Sequence, residues 1–192
     1  MQIKNRFEVP LGPAAAWSLL MNVPVTVTCF PGAELVETVD ADHYKGRVTV
    51  KLGPMTMVFS GNLSVEHRDD MRHSATVKAN WTETRGRGNA VTLTRFDLQD
   101  HAGGTVVGVE TDVQLAGQVA QYGRGAGMIA GVSEQLISRF AENLRAQINA
   151  SSAASAEPAS TPAAAVPPQS ELSVLELLWK ALVSRLKRLF SQ

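Results

Sequence analysis

Hydrophobic and polar positions alternate along most of the first two thirds of the chain, and then the period changes. "QIKNRFEV" sets Ile3, Phe7 and Val9 among polar neighbours, the pattern of a half-buried strand. Gly12 breaks the run, and Pro13 stands where a first helical turn tolerates proline. "PAAAWSLLM" is therefore a short helix with Ala16, Leu19 and Leu20 inward. Pro24 ends it or bends it into a second short helical piece, and Pro31 with Gly32 is a turn signal. Strands then follow closely. Tyr44, Val48, Val50 and Leu52 alternate with Lys45, Arg47, Thr49 and Lys51. Gly53 and Pro54 turn the chain, and Met55, Met57, Phe59, Leu63 and Val65 repeat the pattern. Asp69 and Asp70 mark another turn, and Met71, Ala75, Val77, Ala79 and Trp81 continue the inner face. "RGRGN" is a loop. In "NAVTLTRFDL" the apolar phase moves from Val91 and Leu93 to Phe96 and Leu98, which predicts a bulge near Thr94 and Arg95. After Gly103 and Gly104, a final strand carries Val107, Val109, Val113 and Leu115.

From residue 119 to 149 the apolar spacing becomes three to four, through Tyr122, Ala126, Ile129, Ser133, Leu136, Phe140 and Leu144. This is one long amphipathic helix. The order is a strand, two short helices, about six antiparallel strands and the long helix. A curved sheet needs its concave face covered, and only the long helix is able to do it. The class is α+β. The expected organisation is one folded domain over residues 1–149, a disordered Ala/Ser/Pro linker over 150–170 and an amphipathic helix over 171–192.

The terminal segment "ELSVLELLWKALVSRLKRLF" changes the picture most. At 100° per residue, Leu172, Leu175, Leu178, Trp179, Leu182, Leu186, Leu189 and Phe190 share one wide face. Ser173, Glu176, Lys180, Ser184 and Lys187 take the opposite face, with Arg185 and Arg188 at its borders. The helix is about 30 Å long, formally enough to span a bilayer. Spanning would draw Lys180 through the hydrocarbon at roughly 2.5–3.5 kcal/mol, whereas lying flat keeps every charge in water or among headgroups. Flat membrane binding is the favoured reading, with docking on a partner protein the competing one. A linker of this composition gives a reach of roughly 25–60 Å.

Composition restricts function further. Lys+Arg and Asp+Glu stand at 18 each in 192 residues, so no excess of cations is available for a general nucleic-acid surface. The single Cys29 excludes an internal disulfide and reads as a small buried apolar residue. "MQIKNRFEVPLG" has no apolar signal core, so a cytoplasmic location is expected. His43, His67, His73 and His101 share no ligand spacing, which argues against a metal site. Asp69 and Asp70 are neighbours in a turn and point apart. No acid–base constellation stands out.

Glycines 123, 127 and 131 recur every four residues and line one stripe of the expected helix, each costing about 1 kcal/mol against alanine. Two readings stand: close packing of helix on sheet, or a groove that a flat apolar ligand occupies. Met55, Met57, Met71 and Met128 fall on elements facing that space, where they either fill a core or line an adaptable pocket. Phe59 shares the strand of Met55 and Met57. Trp81 and Tyr122 offer polar handles at its rim.

"CFPGAELVE", "YKGRVTVKLGPMTMVFSG", "TRGRGNAVTLT" and "TDVQLAGQVAQYGRGAG" together resemble the CoxG family, the G-subunit family of carbon monoxide dehydrogenase, from about Met1 to Ile148. That family belongs to the START-like, helix-grip superfamily. The resemblance implies a non-enzymatic accessory protein at the cytoplasmic face of the inner membrane. It implies recruitment of a CO dehydrogenase-type molybdenum hydroxylase and a cavity for a quinone, menaquinone or ubiquinone, with no covalently bound cofactor. The ligand-binding residues expected are Met55, Met57, Phe59, Trp81, Tyr122, Gly123, Gly127, Met128 and Gly131. The membrane-binding residues expected are Leu175, Leu178, Trp179, Lys180, Leu182, Arg185, Leu186, Lys187, Arg188, Leu189 and Phe190. A carrier of lipid or another small apolar ligand, without a redox role, is the alternative.

Overall fold

Period-two alternation produces seven strands in the computed structural model, which describes residues 1–52, 55–123 and 126–155, with backbone alone for 52, 122, 123, 126–128 and 153–155. The strands are β1 (Gln2–Val9), β2 (Ala33–Thr38), β3 (His43–Leu52), β4 (Met55–Asp69), β5 (Ser74–Glu83), β6 (Gly88–His101) and β7 (Gly104–Gly117). They form one antiparallel sheet in the order β1-β7-β6-β5-β4-β3-β2. Two short helices, α1 (Pro13–Met21) and α2 (Val23–Cys29), connect β1 to β2 across the sheet, as the two prolines require. α3 (Ala120–Gly123) and α4 (Ala126–Ser155) follow β7. Gly32 has φ +79, and a Cβ there would stand 2.4 Å from the Thr49 carbonyl oxygen, so the turn into β2 needs glycine.

The main core gathers at one end of the sheet. Phe7, Val9, Leu98 and Val107 from the strands meet Ala16, Trp17 and Leu20 of α1 and Phe140, Leu144 and Ile148 of α4. Phe140 packs edge-on against Phe7 at 5.4 Å between ring centres and tilts against Phe30 at 5.6 Å. Asn143 Nδ2 donates to the Cys29 carbonyl at 2.9 Å, tying α4 to α2, and Cys29 is buried as its residue type implied. Trp17 Nε1 donates to Asp70 Oδ1 at 2.8 Å, which fastens the β4–β5 turn to α1. Asp69 instead accepts from the backbone N–H groups of Met71 and Arg72, so the two carboxylates do point apart.

Four expectations are corrected. The bulge near Thr94 and Arg95 is absent, for β6 pairs without interruption with β5 and β7. The register shifts fall instead at Leu35/Glu37 in β2 and Val65/His67 in β4. Met71 is not on the inner face: it lies in the turn and is 92% exposed. The helix expected over 119–149 is two helical segments, α3 and α4, and Val119 precedes both. α4 also continues through residues 150–155, whose alanines and serines extend the helix rather than begin the linker. The rest of the expected linker and the tail helix over 171–192 lie outside the described residues.

Candidate functional site: the concave face

Register determines what faces α4. On the concave side, Asn5, Val109, Phe96 and Ala75 stand side by side across β1, β7, β6 and β5, and the last three belong to the main core or pack on it. The next row is Ile3, Thr111, Thr94, Val77 and Val65. The row after it is Val113, Thr92, Ala79, Leu63 and Tyr44. Beyond that come Leu115, Ala90, Trp81, Gly61 and Gly46.

A second apolar cluster closes the far end. Met57, Phe59 and Val119 are buried there, with Val48, Val50, Met55, Trp81 and Leu115 packed around them. Thus Met55, Met57, Phe59 and Trp81 are brought together as a group. The seat of Trp81 is made by two strand glycines. A Cβ on Gly61 would lie 2.7 Å from Trp81 Cε3 and one on Gly46 4.0 Å from Cη2, so the indole lies over bare backbone of two neighbouring strands. Trp81 is only half-buried, and its ring N–H has no protein partner among the described residues. It remains a free donor.

Between the two clusters the concave face is partly open. Ile3, Leu63, Val65, Val77, Thr92, Thr94, Thr111 and Val113 are all intermediate in exposure and belong to neither cluster. The reason lies in how α4 is held. Its second half packs into the main core through Phe140, Ala141, Leu144 and Ile148. Its first half meets the edge strand β1, where Asn5 Nδ2 donates to Ser133 Oγ at 2.9 Å. In the middle of this apolar surface the hydroxyls of Thr94 and Thr111 lie 3.1 Å apart, one donating to the other. One lone-pair side and the second hydroxyl hydrogen stay available to a ligand.

The other expected site residues are placed differently. Tyr122 and Gly123 lie on α3, while Gly127 and Met128 lie on α4, so the glycine stripe is divided between two helical segments. The side chains of Tyr122 and Met128 lie outside the described residues. Gly131 is exposed, and a Cβ there would meet nothing within 4 Å. It borders a shallow depression of about 390 Å³ with Glu134, Gln135, Ser138, Arg139 and Glu142, the polar side of α4. The structure does not bring it to the concave face. Sequence reasoning does not reach Thr92, Thr94, Thr111, Gly46 and Gly61. The strand glycines are a legible signal for close approach of a large side chain.

One more feature shapes the far end. Glu83 is 2% exposed, and its Oε2 accepts from the backbone N–H groups of Arg85 at 2.9 Å and Arg87 at 3.1 Å. Its carboxylate holds the β5–β6 loop from within. The perturbed acids lie at the opposite end. Arg68 and the Trp17 indole lower the pKa of Asp70 by hydrogen bonding to its carboxylate. Bonds from the Asp42 backbone and from His43 lower that of Asp40. Burial raises that of Tyr44, helped by Asp42 and Asp40. Among the described residues no group of acids, histidines and cysteine is placed to hold a metal.

A curved antiparallel sheet with a long C-terminal helix across its concave face is the START-like helix-grip fold. Solved structures with this arrangement agree in fold. A conserved protein from Geobacillus kaustophilus superposes with TM-score 0.68 at 20% identity, covering 79% of this chain and 97% of that one. The Zhui aromatase/cyclase from Streptomyces sp. R1128 gives 0.55 at 12% identity, covering 81% and 98%. Protein Ms6760 from Mycobacterium smegmatis gives 0.55 at 16% identity, covering 78% and 92%. No curated protein matches the chain. The model of the CoxG family, the G-subunit family of carbon monoxide dehydrogenase, matches residues 6–149, and the chain belongs to that family. Membership associates it with CO dehydrogenase in an accessory role.

Proposed function

We propose that this protein is a non-enzymatic membrane adaptor that recruits a CO dehydrogenase-type molybdenum hydroxylase to the cytoplasmic face of the inner membrane and holds a quinone against its concave face. The observation that carries this reading is the pair of half-exposed rows between two buried clusters. Apolar surface left accessible inside a cup is costly without a ligand and supports binding of an elongated apolar molecule. A quinone fits the residues present. Val77, Val65, Leu63, Val113 and Ile3 would receive its ring and isoprenoid stem. The Thr94–Thr111 pair and the Trp81 N–H supply donors for its carbonyl oxygens, which want only one or two. When bound, the quinone supplies two-electron, two-proton acceptor chemistry. The chain's own residues bind it, orient it and keep water from the stem.

The membrane part of the proposal rests on the amphipathic sequence of residues 172–190, with one wide apolar face and a basic face led by Lys180, Arg185, Lys187 and Arg188. Among the described residues no helix is long and apolar enough to cross a membrane. Cell fractionation tests the adaptor role. Deleting residues 171–192 should move the molybdenum hydroxylase from the membrane to the soluble fraction while its activity with a soluble electron acceptor is retained. Unchanged membrane association of the hydroxylase would refute recruitment by this chain. A second reading, a lipid or apolar-ligand carrier without a redox role, is favoured by the same open rows if the molecule held there proves not to be a quinone.

A further inference from the structure

Charge is segregated along the strands of this domain, although the chain as a whole is neutral. One end carries the β2–β3, β4–β5 and β6–β7 turns, with Asp40, Asp42, Asp69, Asp70 and Asp100 against Arg68 and Arg72. The other end carries the end of β3 and the start of β4, the β5–β6 loop and the exit from β7. Its charged side chains in the described residues are Lys51, Arg85 and Arg87, together with the buried Glu83. Basic residues elsewhere on the sheet are largely paired, as Lys45 is with Glu37 at 2.9 Å and Arg95 with Asp112 at 3.0 Å. Lys51, Arg85 and Arg87 have no carboxylate partner among the described residues.

Register brings the three together. Lys51 pairs with Thr56 on β4, and the Thr84 N–H bonds the Val58 carbonyl on that same strand. Lys51 and the loop therefore lie within about two strand spacings, on the order of 10 Å. The loop is held in shape by Glu83 from inside and turns at Gly86, φ +73. Directly beneath it lies the second apolar cluster, with half-buried Met55, Val50 and Leu115.

We infer that this basic end is a docking surface for an anionic lipid bilayer, one that sets the closed far end of the cup against the headgroups. The inference rests on the concave face holding a membrane-soluble ligand. Unpaired cations gathered at this end match an anionic interface in charge. The acidic opposite end is repelled by the same surface, so the segregated charge orients the approach. Three cations are too few for a phosphate backbone track, which excludes nucleic acid as the partner.

The test uses the full chain with Cys29→Ala and a single fluorophore introduced through Thr84→Cys, beside the basic loop. A control carries it through Met71→Cys at the acidic end. Vesicles of phosphatidylcholine and phosphatidylglycerol contain a headgroup nitroxide quencher. The label at position 84 should be quenched and the label at position 71 should not. Arg85→Gln with Arg87→Gln should weaken the binding read by quenching about twenty-five-fold, at roughly fivefold per charge. Vesicles of phosphatidylcholine alone should quench neither label. Co-sedimentation, measured in parallel, reports tethering by the terminal segment separately. Co-sedimentation without quenching at position 84 overturns the docking surface and leaves the tether standing. Equal quenching by neutral vesicles, or shielding of position 84 only by the molybdenum hydroxylase, also overturns it.

Discussion

Replacing Val77 by phenylalanine, and separately Val107 by phenylalanine, distinguishes an open concave face from a packed one. Both valines are central strand residues directed to the same side of the sheet. Val107 is 1% exposed and opposed by Phe7 and Leu98. A ring forced in there displaces well-packed neighbours, at about 1–3 kcal/mol. For a domain of this size 1 kcal/mol moves Tm by about 2–4 °C, so a cost near 2 kcal/mol lowers it about 4–8 °C. Val77 stands between Thr94 and Val65, partly exposed and outside both clusters. There the ring enters free space, and stability should stay within about 0.5 kcal/mol of the parent. The assay is thermal unfolding of delipidated protein, because a bound ligand would itself raise Tm. Each variant is then reconstituted with quinone. Val77→Phe should melt with the parent and bind none; Val107→Phe should melt lower and still bind. An equal fall in Tm for both variants would show that the middle rows are packed and that no cup exists.

Three further outcomes follow from the same geometry. Gly61→Ala should cost about 1–3 kcal/mol in urea unfolding, because its Cβ would stand 2.1 Å from the Asn80 carbonyl oxygen and 2.7 Å from the Trp81 ring; a neutral result would contradict the seating of the indole. Asp70 has a lowered pKa in the fold, so its stabilising contribution is present above the ordinary carboxylate value near 4 and lost as pH falls through the folded value. The stability gap between parent and Asp70→Asn should therefore narrow below about pH 4, and a constant gap down to pH 2 would argue against the Arg68 and Trp17 contacts. Changing Lys180, Arg185, Lys187 and Arg188 to glutamine should weaken binding to anionic vesicles by about 1 kcal/mol per charge, while Leu178→Glu with Leu182→Glu should abolish it. Resistance to alkaline carbonate washing would point instead to a spanning helix.

Much of the fold is legible because alternation and helical period are local properties. The strands other than β2, the split between α1 and α2 at Pro24, and the inward Phe140 and Leu144 all follow from spacing. Trp17 does not stand out in the sequence, since its burial depends on Asp70 and His73 of the distant β4–β5 turn and on Phe96 of β6. The misplaced bulge is the more instructive case. Val91 and Leu93 are apolar yet belong to the outer face, while Thr92 and Thr94 point inward. The apparent loss of phase is a pair of polar residues on the concave side, within the candidate site itself. A binding surface departs from the core pattern where a ligand, rather than the protein, completes the packing. The glycine stripe misleads for the opposite reason: a spacing of four specifies a shared face only on one continuous helix, and Gly123 and Gly127 belong to two segments.

The central claim is that the concave face holds a quinone. Mass spectrometry of the organic extract of the purified full-length protein, beside the Val77→Phe variant prepared identically, tests it most directly. A menaquinone or ubiquinone in near-stoichiometric amount from the parent, and none from the variant, is the predicted result. A fatty acid or phospholipid in its place would favour the carrier reading, and equal quinone from both proteins would contradict the site.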